Sequence, residues 1–287
     1  MNRILYLIPL FAIIAFVIIF SSEIIEDSEI PSEDTELSEF LDSEYEEIDR
    51  FIFKAYFYEG DYELINGQKI PNRIFYDFKN EFTHHYNDMI LNKNDQSSAF
   101  VVPTLTASAY VVGGFYDYFN GKCSETCLTT QIWKNPTLTY NTSSNSAQVL
   151  KLLGYTQIDD LDIIKNPDIL NQFERIIVLH NEYVTREMFE AINNHPKVIF
   201  LFPNALYAQV EIDPSFETMK LIRGHGYPQE NILNGFDWEN ENTHPFEFDN
   251  VCSTWNFYEI SNGYMLNCYP EYLIIQDFEF LKVLKNL

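Results

Sequence analysis

A histidine, a carboxylate and a tyrosine lie close together where an apolar run ends, in RIIVLHNEYVT at residues 175–185. His180 can transfer protons near neutral pH, and Glu182 can bind a cation or act as a base. Asn204 follows a second apolar run, KVIFLF. Asn181 and Glu182 can also cap the next helix near its positive end. The stretch therefore fits either a reaction site or a helix cap.

The elements that would position these residues alternate between apolar strands and short helices from about Ser97 onward. SAFVVP, RIIVLH and KVIFLF are typical of buried strands, and residues 146–153 have the pattern of a helix. Thr185 is placed to cap another helix, REMFEAINN. This order predicts an α/β domain with a mainly parallel sheet flanked by helices. His180 and Asn204 then share the carboxyl edge of the sheet, where ligands collect.

Two further stretches are candidates for the same edge. VVPTLTASAYVVGGFYDYF, residues 101–119, combines a strand, a Thr-rich turn, Tyr110 and a pair of glycines that permit close backbone approach. Its alternative interpretation is a tyrosine-rich hydrophobic wall. RGHGYP places His225 between two glycines, either at that edge or as an isolated loop residue. Hairpins are predicted around residues 213–215 and at Asn262-Gly263.

The amino terminus predicts a membrane-targeting segment. Residues 4–20 form a run of seventeen apolar residues, which is at the short end for a membrane-spanning helix. We expect a retained signal anchor within residues 1–22, with a cleaved signal peptide and a buried core helix as alternatives. Arg3 before the run and many acids after it place the amino terminus inside. The expected location is a single-pass cell-membrane protein with its carboxy-terminal domain outside the cytoplasm.

Charge divides the remaining chain. Residues 23–49 hold thirteen Asp or Glu and no Lys or Arg, which predicts an extended, disordered acidic linker. Residues 50–95 are aromatic and mixed, and we expect a small appendage there, followed by the α/β domain at 96–287. The net charge is −25, and the absence of a basic stripe excludes nucleic acid as a partner. His84 and His85 are adjacent and point apart on a helix, so they are expected at the surface.

Four cysteines fall into two local pairs. An even number in an exported chain indicates disulfides, and we expect Cys123 to pair with Cys127 and Cys252 with Cys268, because each pair closes a short loop. A four-thiolate zinc site is the alternative. Asn141-Thr142-Ser143 matches the glycosylation acceptor pattern, which agrees with an outside location.

Three segments resemble, in the same order, the carboxy-terminal domain family of the N,N-dimethylformamidase large (beta) subunit. VPTLTASAYVVGG resembles the family's proline and threonine followed by Ala-Tyr and Gly-Gly. The family's passage from Gly-Tyr through an Asp-rich step to His-x-Glu-Tyr is resembled by LLGYTQIDDLDIIKNPDILNQFERIIVLHNEYVT. The family's strand followed by Asn is resembled by FLFPNALYAQVEI. The likeness covers roughly residues 99–212 and is weaker to about 268. It implies a class I glutamine amidotransferase-like, flavodoxin-like fold.

The resemblance also implies a mononuclear iron, held by two tyrosinates and a glutamate beside a histidine, that hydrolyses a small amide. By position, Tyr110 matches the first tyrosine ligand, Glu182 the carboxylate and His180 the neighbouring histidine. Tyr140 in TTQIWKNPTLTY is the candidate second tyrosine, although the family's Arg-Pro pair is missing there. An anionic all-oxygen set suits a ferric Lewis acid.

This chain departs from the family pattern at other positions. Val184 replaces the family's tryptophan, Val111 replaces an asparagine, and no general-base glutamate can be placed. No cysteine follows KVIFLF, so a cysteine-nucleophile mechanism is set aside. Two functions remain. One is an outward-facing, metal-dependent hydrolase of C–N amide bonds; the other is a non-catalytic surface or envelope protein that binds a small molecule, a glycan, a neighbouring protein or another copy of itself.

Overall fold

The structure is a computed structural model, and the part of the chain it describes excludes the amino-terminal segment. The predicted signal anchor and all of the predicted acidic linker except residues 45–48 lie outside that part. Among the residues it describes, no helix has the length and apolar character needed to cross a bilayer. The described residues are 45–48, 51–65, 68–91, 97–238 and 252–287.

The chain divides into two compact units. Among the described residues, the smaller comprises 45–48 and the described part of Lys54–Tyr76, and the larger comprises Phe51–Phe53 and the described part of Asp77–Leu287. Short antiparallel strands dominate the amino-terminal region, in a three-stranded sheet of order β1-β2-β5 and a separate β3-β4 pair. These strands are β1 (Tyr45–Ile48), β2 (Lys54–Tyr58), β3 (Tyr62–Ile65), β4 (Gln68–Pro71) and β5 (Phe75–Asp77).

The larger unit contains strands, α-helices and short 3-10 turns. Its strands are β6 (Ser98–Val102), β7 (Thr129–Gln131), β8 (Thr156–Asp159), β9 (Arg175–Val178), β10 (Tyr183–Val184), β11 (Val198–Phe200), β12 (Ala208–Ile212), β13 (Thr218–Arg223), β14 (Phe257–Ile260) and β15 (Gly263–Leu266). Its helices are α1 (Thr83–Asn87), α2 (Thr104–Ala109), α3 (Phe115–Phe119), α4 (Ser144–Leu152), α5 (Asp160–Lys165), α6 (Arg186–Asn193) and α7 (Phe278–Asn286).

The main sheet is six-stranded, in the order β14-β15-β11-β9-β6-β8. The pairs from β8 across to β15 are parallel, and β14 alone is antiparallel to its neighbour. The residues of β6, β9 and β11 are all buried, as expected for strands covered on both faces. The prediction of a mixed α/β unit with a parallel-rich sheet flanked by helices is therefore confirmed.

The connection order of the main sheet reverses direction between β6 and β9. The chain passes from β6 to β8 on one side and then returns to place β9 on the other side of β6. The segments that follow β6 and β9 both start at the carboxyl ends of the strands, and they then run toward opposite sides of the sheet. Parallel α/β sheets bind ligands at such a reversal point.

A second sheet, of order β10-β12-β13-β7, was not predicted, and its strand β10 follows β9 along the chain. Its β12-β13 hairpin confirms the turn expected at residues 213–215, where Asp213 accepts backbone N–H groups from Ser215 and Glu217 at 3.0 and 2.9 Å. The other predicted hairpin, at Asn262-Gly263, joins β14 to β15. Both turns are local, which is why their sequence signals were sufficient.

Side chains and glycines end the helices as the sequence suggests. Thr185 caps α6 by accepting the N–H of Met188 at 3.3 Å, which confirms its predicted role. The helix expected at residues 146–153 is α4, which begins two residues earlier. Gly154 follows it with a φ of 92°, a conformation that favours glycine after a helix.

Both predicted disulfides are formed. Cys123 pairs with Cys127 and Cys252 with Cys268, so no thiolate remains for the alternative zinc site. Disulfides persist outside the reducing cytosol. The pairing is therefore consistent with an extracellular domain.

Candidate functional site

The candidate site lies at the reversal point of the main sheet, between the ends of β6 and β9. Helix α2 begins two residues after β6, and the segment containing His180 and Glu182 follows β9. Thr106 on α2 joins the two segments, because its Oγ1 accepts the backbone N–H groups of Glu182 at 2.9 Å and Tyr183 at 3.2 Å. A single buried hydroxyl thus fixes the backbone that carries the carboxylate.

Two aspartates at the end of β8 hold the start of α2. Asp160 accepts the N–H of Leu105 at 2.8 Å and an amide N–H of Asn181 at 2.6 Å, while Asp159 accepts the hydroxyl of Thr104 at 2.5 Å. Burial raises the pKa of Asp160 well above its usual range, and the neighbouring charge of Asp159 raises it further. The Asp-rich step of the sequence therefore positions both halves of the site.

Glu182 is the centre of a cluster of polar side chains and is only 1% exposed. The hydroxyl of Tyr110 donates to its Oε2 at 2.7 Å, and the hydroxyl of Tyr116 lies 3.5 Å from the same oxygen. The two phenolic oxygens are 3.0 Å apart. Burial raises the pKa of Tyr110 well above its ordinary value, and the charge of Glu182 adds to the effect. Two partly buried phenols and a buried carboxylate thus lie in mutual contact.

His225 approaches the cluster from a loop after β13. Its Nε2 lies 3.4 Å from Oε1 of Glu182 and 3.3 Å from the hydroxyl of Tyr116. The ring stacks on Phe119, with centroids 4.3 Å apart. Burial lowers the pKa of His225 to about 4, so the imidazole is neutral near pH 7. His225, which the sequence places between two glycines, therefore lies with Glu182 at the carboxyl edge of the main sheet, as one of its two interpretations predicted.

His180 is held from both ring nitrogens. Its Nδ1 lies 2.6 Å from the carbonyl oxygen of Asn141 and 3.1 Å from the hydroxyl of Tyr269, and its Nε2 lies 2.6 Å from the amide nitrogen of Asn204. A carbonyl oxygen only accepts, so Nδ1 carries the proton and the Nε2 lone pair accepts the amide N–H of Asn204. Burial lowers the pKa of this histidine to about 4. Its Nε2 is 3.8 Å from Oε2 of Glu182.

Three residues other than glycine that adopt left-handed backbone conformations support the site. Ser143, with φ of 66°, accepts the backbone N–H of His180 at 3.0 Å, and Leu206, with φ of 56°, donates its N–H to the carbonyl of Asn181 at 2.8 Å. His225 itself has φ of 55°. Such strain persists only where surrounding contacts impose it, and it concentrates at functional sites.

The structure brings most of the predicted site residues together. Tyr110, Glu182, His180 and Asn204 form a connected set, and His225 joins it through Glu182. Tyr140 lies on a 3-10 turn, is 41% exposed, and packs its ring 5.9 Å from that of Tyr269. Its role as a second tyrosine ligand stays a prediction.

Sequence reasoning missed Tyr116 and Tyr269. Tyr116 stands in the aromatic run FYDYF, whose interpretation was a hydrophobic wall, and the signal available was its position just after the Gly113-Gly114 pair. Tyr269 follows Cys268 directly, so the predicted disulfide could have drawn attention to it. Neither signal specifies contact with Glu182 or His180.

Counting only His, Cys, Asp and Glu, no group of three or more is arranged to hold a metal ion in the described part of the chain. The cluster around Glu182 differs, because two of its donors are phenolic oxygens. In comparisons with known proteins, no family model and no curated sequence matches this chain.

Proposed function

We propose that this protein is a membrane-anchored, outward-facing hydrolase of C–N amide bonds that uses an iron ion, and that it is related to the N,N-dimethylformamidase large subunit. The single observation that carries the proposal is the buried pair of Tyr110 and Glu182, whose oxygens lie 2.7 Å apart with His180 beside them. These are the residues that the resemblance assigns to the first tyrosine ligand, the carboxylate ligand and the neighbouring histidine.

The strand order supports the proposed fold family. Numbered along the chain, β6, β8, β9, β11 and β15 lie in the spatial order second, first, third, fourth, fifth. This is the order of flavodoxin-like sheets, whose ligands bind between the first and third strands. Tyr110 follows the first strand and Glu182 follows the third, so the pair occupies the expected position.

The donor chemistry fits the proposed metal. Two adjacent ligands of one ion, each bound at about 2.0 to 2.2 Å, stand roughly 2.8 to 3.6 Å apart for octahedral to tetrahedral angles. The oxygens of Tyr110 and Glu182 are close to this range. When bound, an iron ion would polarise an amide carbonyl and acidify a water molecule. Hard, anionic oxygen donors are suited to ferric iron.

The surrounding side chains can move the proton and orient the substrate. His180 Nε2 accepts the amide N–H of Asn204, so a water molecule would have to displace that donor before passing a proton to the ring; the carbonyl of Asn141 on Nδ1 would stabilise the cation that results. The same imidazolium can return the proton to the departing amine. Oδ1 of Asn204 is buried and has no hydrogen-bond partner among the described residues. It is therefore free to accept an N–H from a substrate amide.

Location outside the cytoplasm is supported by two independent features. The seventeen-residue apolar run near the amino terminus has the length of a short membrane anchor. The two disulfides belong to an oxidising compartment. The acidic segment 23–49 would then separate the domain from the membrane.

The test is amide hydrolysis by the full chain, purified in detergent and loaded with iron. Formamide, N,N-dimethylformamide and acetamide form the substrate panel, and release of the amine is measured. We expect hydrolysis of at least one of them, and a loss of about 100-fold or more in Glu182→Gln. Glu211→Gln changes an exposed glutamate on β12 and serves as the matched control.

Two results would contradict the proposal. Iron-loaded protein that hydrolyses none of these amides would favour the non-catalytic binding protein. Activity that survives in Glu182→Gln would place the chemistry elsewhere in the molecule. For the anchor, a mature amino terminus found near Ser21 would show cleavage instead of retention.

A further inference from the structure

We infer that Tyr116 and His225 complete the metal site of Tyr110 and Glu182, so that one ion is held by two phenolic oxygens, a carboxylate and an imidazole. This inference rests on the proposed function for the presence of a metal, but it concerns a different matter, namely which side chains bind it. It assigns Tyr116, rather than Tyr140, as the second tyrosine and gives His225 the role of a ligand.

The four donors converge on one small space. The hydroxyl of Tyr116 lies 3.0 Å from that of Tyr110, 3.5 Å from Oε2 of Glu182 and 3.3 Å from Nε2 of His225. The same Nε2 is 3.4 Å from Oε1 of Glu182. All these separations fall within the roughly 2.8 to 3.6 Å expected between ligands of a single ion. Tyr116 is thus the donor that lies within 3.5 Å of each of the other three side chains.

The backbone before α3 places Tyr116 beside Tyr110. Gly113 adopts φ of 82°, and a Cβ on Gly114 would lie 2.3 Å from the carbonyl oxygen of Ala109. Only glycine therefore allows the start of α3 to pack against the end of α2. The two tyrosine rings consequently meet edge to face, with centroids 4.4 Å apart. The Gly-Gly pair is thus explained by the pairing of the two phenols.

The loop of His225 is built to hold one side chain in place. Three consecutive residues, 224–226, have left-handed φ values of 107°, 55° and 78°. The N–H of His225 donates to Leu233 at 2.7 Å, and the stack on Phe119 fixes the ring plane. A left-handed backbone conformation is unfavourable for histidine. At His225 this conformation accompanies the placement of Nε2 beside Glu182, as expected for strain at a functional site.

Tyr140 does not share this arrangement. It is 41% exposed, and its ring packs on Tyr269, which in turn contacts the Nδ1 side of His180. That side faces away from Nε2, the nitrogen nearest Glu182. The hydroxyl of Tyr116, in contrast, lies 3.5 Å from Oε2 of Glu182.

The experiment measures metal binding, not catalysis, on the full chain in detergent. Iron and zinc are each titrated into the metal-free protein, with metal content and the visible tyrosinate-to-iron absorption as readouts. We expect Tyr116→Phe and His225→Gln each to weaken metal binding by at least about tenfold, and Tyr116→Phe also to shift or weaken the absorption. Tyr140→Phe and His84→Gln, the same changes at sites outside the cluster, should leave both readouts unchanged.

The outcomes separate this inference from the proposed function. If Tyr140→Phe loses the absorption while Tyr116→Phe retains it, the assignment of Tyr116 is overturned although the iron enzyme stands. If metal binds through Tyr116 and His225 but no amide is hydrolysed, the proposed function fails and the ligand set is supported. A wild-type protein that binds neither metal overturns both. If Tyr116→Phe does not fold, weaker metal binding by His225→Gln supports the ligand set, and unchanged metal binding overturns it.

Discussion

Thr106 Oγ1 accepts the backbone N–H of Glu182 at 2.9 Å across 76 positions of sequence, and this hydroxyl ties helix α2 to the carboxylate. The same oxygen accepts the N–H of Tyr183. Both donor residues are buried, so an N–H that loses this acceptor cannot bond to bulk water instead. The geometry of the cluster is therefore sensitive to a residue that does not belong to it.

Replacing Thr106 with valine should destabilise the protein. Valine has nearly the same shape but no acceptor, and an unsatisfied buried N–H costs about 1 to 3 kcal/mol. We expect Thr106→Val to lower the free energy of unfolding by about 2 kcal/mol or more, measured by urea denaturation of the metal-free protein. Thr106→Ser keeps the hydroxyl and should lose much less. Equal losses in the two variants would show that packing, not the hydroxyl, matters.

The two disulfides should contribute unequally to stability. Cys252 and Cys268 are 16 positions apart, and Cys123 and Cys127 only 4. The loop-closure relation gives about 3 kcal/mol for the longer loop and about 2 kcal/mol for the shorter. Paired Cys→Ser variants, unfolded in urea without reductant, should follow that order. The opposite order would mean that contacts around the short loop outweigh chain entropy.

Glu271 should make stability depend on pH. Its carboxylate is buried and accepts the N–H groups of Asn145 and Ser146 at the start of α4. Burial raises its pKa from 4.5 to about 7. Because the pKa is higher in the folded state, Glu271 contributes to the free energy of unfolding fully below about pH 4.5, and this contribution is lost as the pH rises through about 7. The protein should therefore lose this stabilisation on alkalinisation, not on acidification.

The measurement compares wild type with Glu271→Gln between about pH 4.5 and about pH 7.5. We expect the wild type to lose roughly 1 to 3 kcal/mol more unfolding free energy over this range, because the glutamine cannot ionise. Other titrating groups, including Asp160, are common to both proteins and cancel in the difference. Parallel pH profiles would show that Glu271 is not perturbed as described.

Local signals predicted much of the fold. RIIVLH and KVIFLF became β9 and β11 because unbroken apolar runs are buried on both faces of a parallel sheet. Thr185 and Asp213 act on backbone groups a few residues away, so their roles follow from neighbouring sequence alone. The cysteine pairs were likewise accessible, because each closes a short loop.

Long-range geometry was not accessible in the same way. The turn at Asn262-Gly263 predicted a hairpin, but not that β15 would pair with β11 and extend the main sheet. The contact of Tyr116 with Glu182 depends on the close approach of two helix ends, which a glycine permits but does not specify. Packing decides which strands and side chains pair when they are distant in sequence. The hydrophobic periodicity of a single segment carries no information about that packing.

Tyr269 and His180 meet across 89 positions of sequence, which has a consequence for biosynthesis. The ribosome makes His180 well before Tyr269, and Tyr269 directly follows a cysteine whose partner, Cys252, is also made late. Until that part of the chain has emerged, the imidazole has one partner fewer on Nδ1. The site can therefore gain this contact only after the segment that carries Tyr269 has been translated.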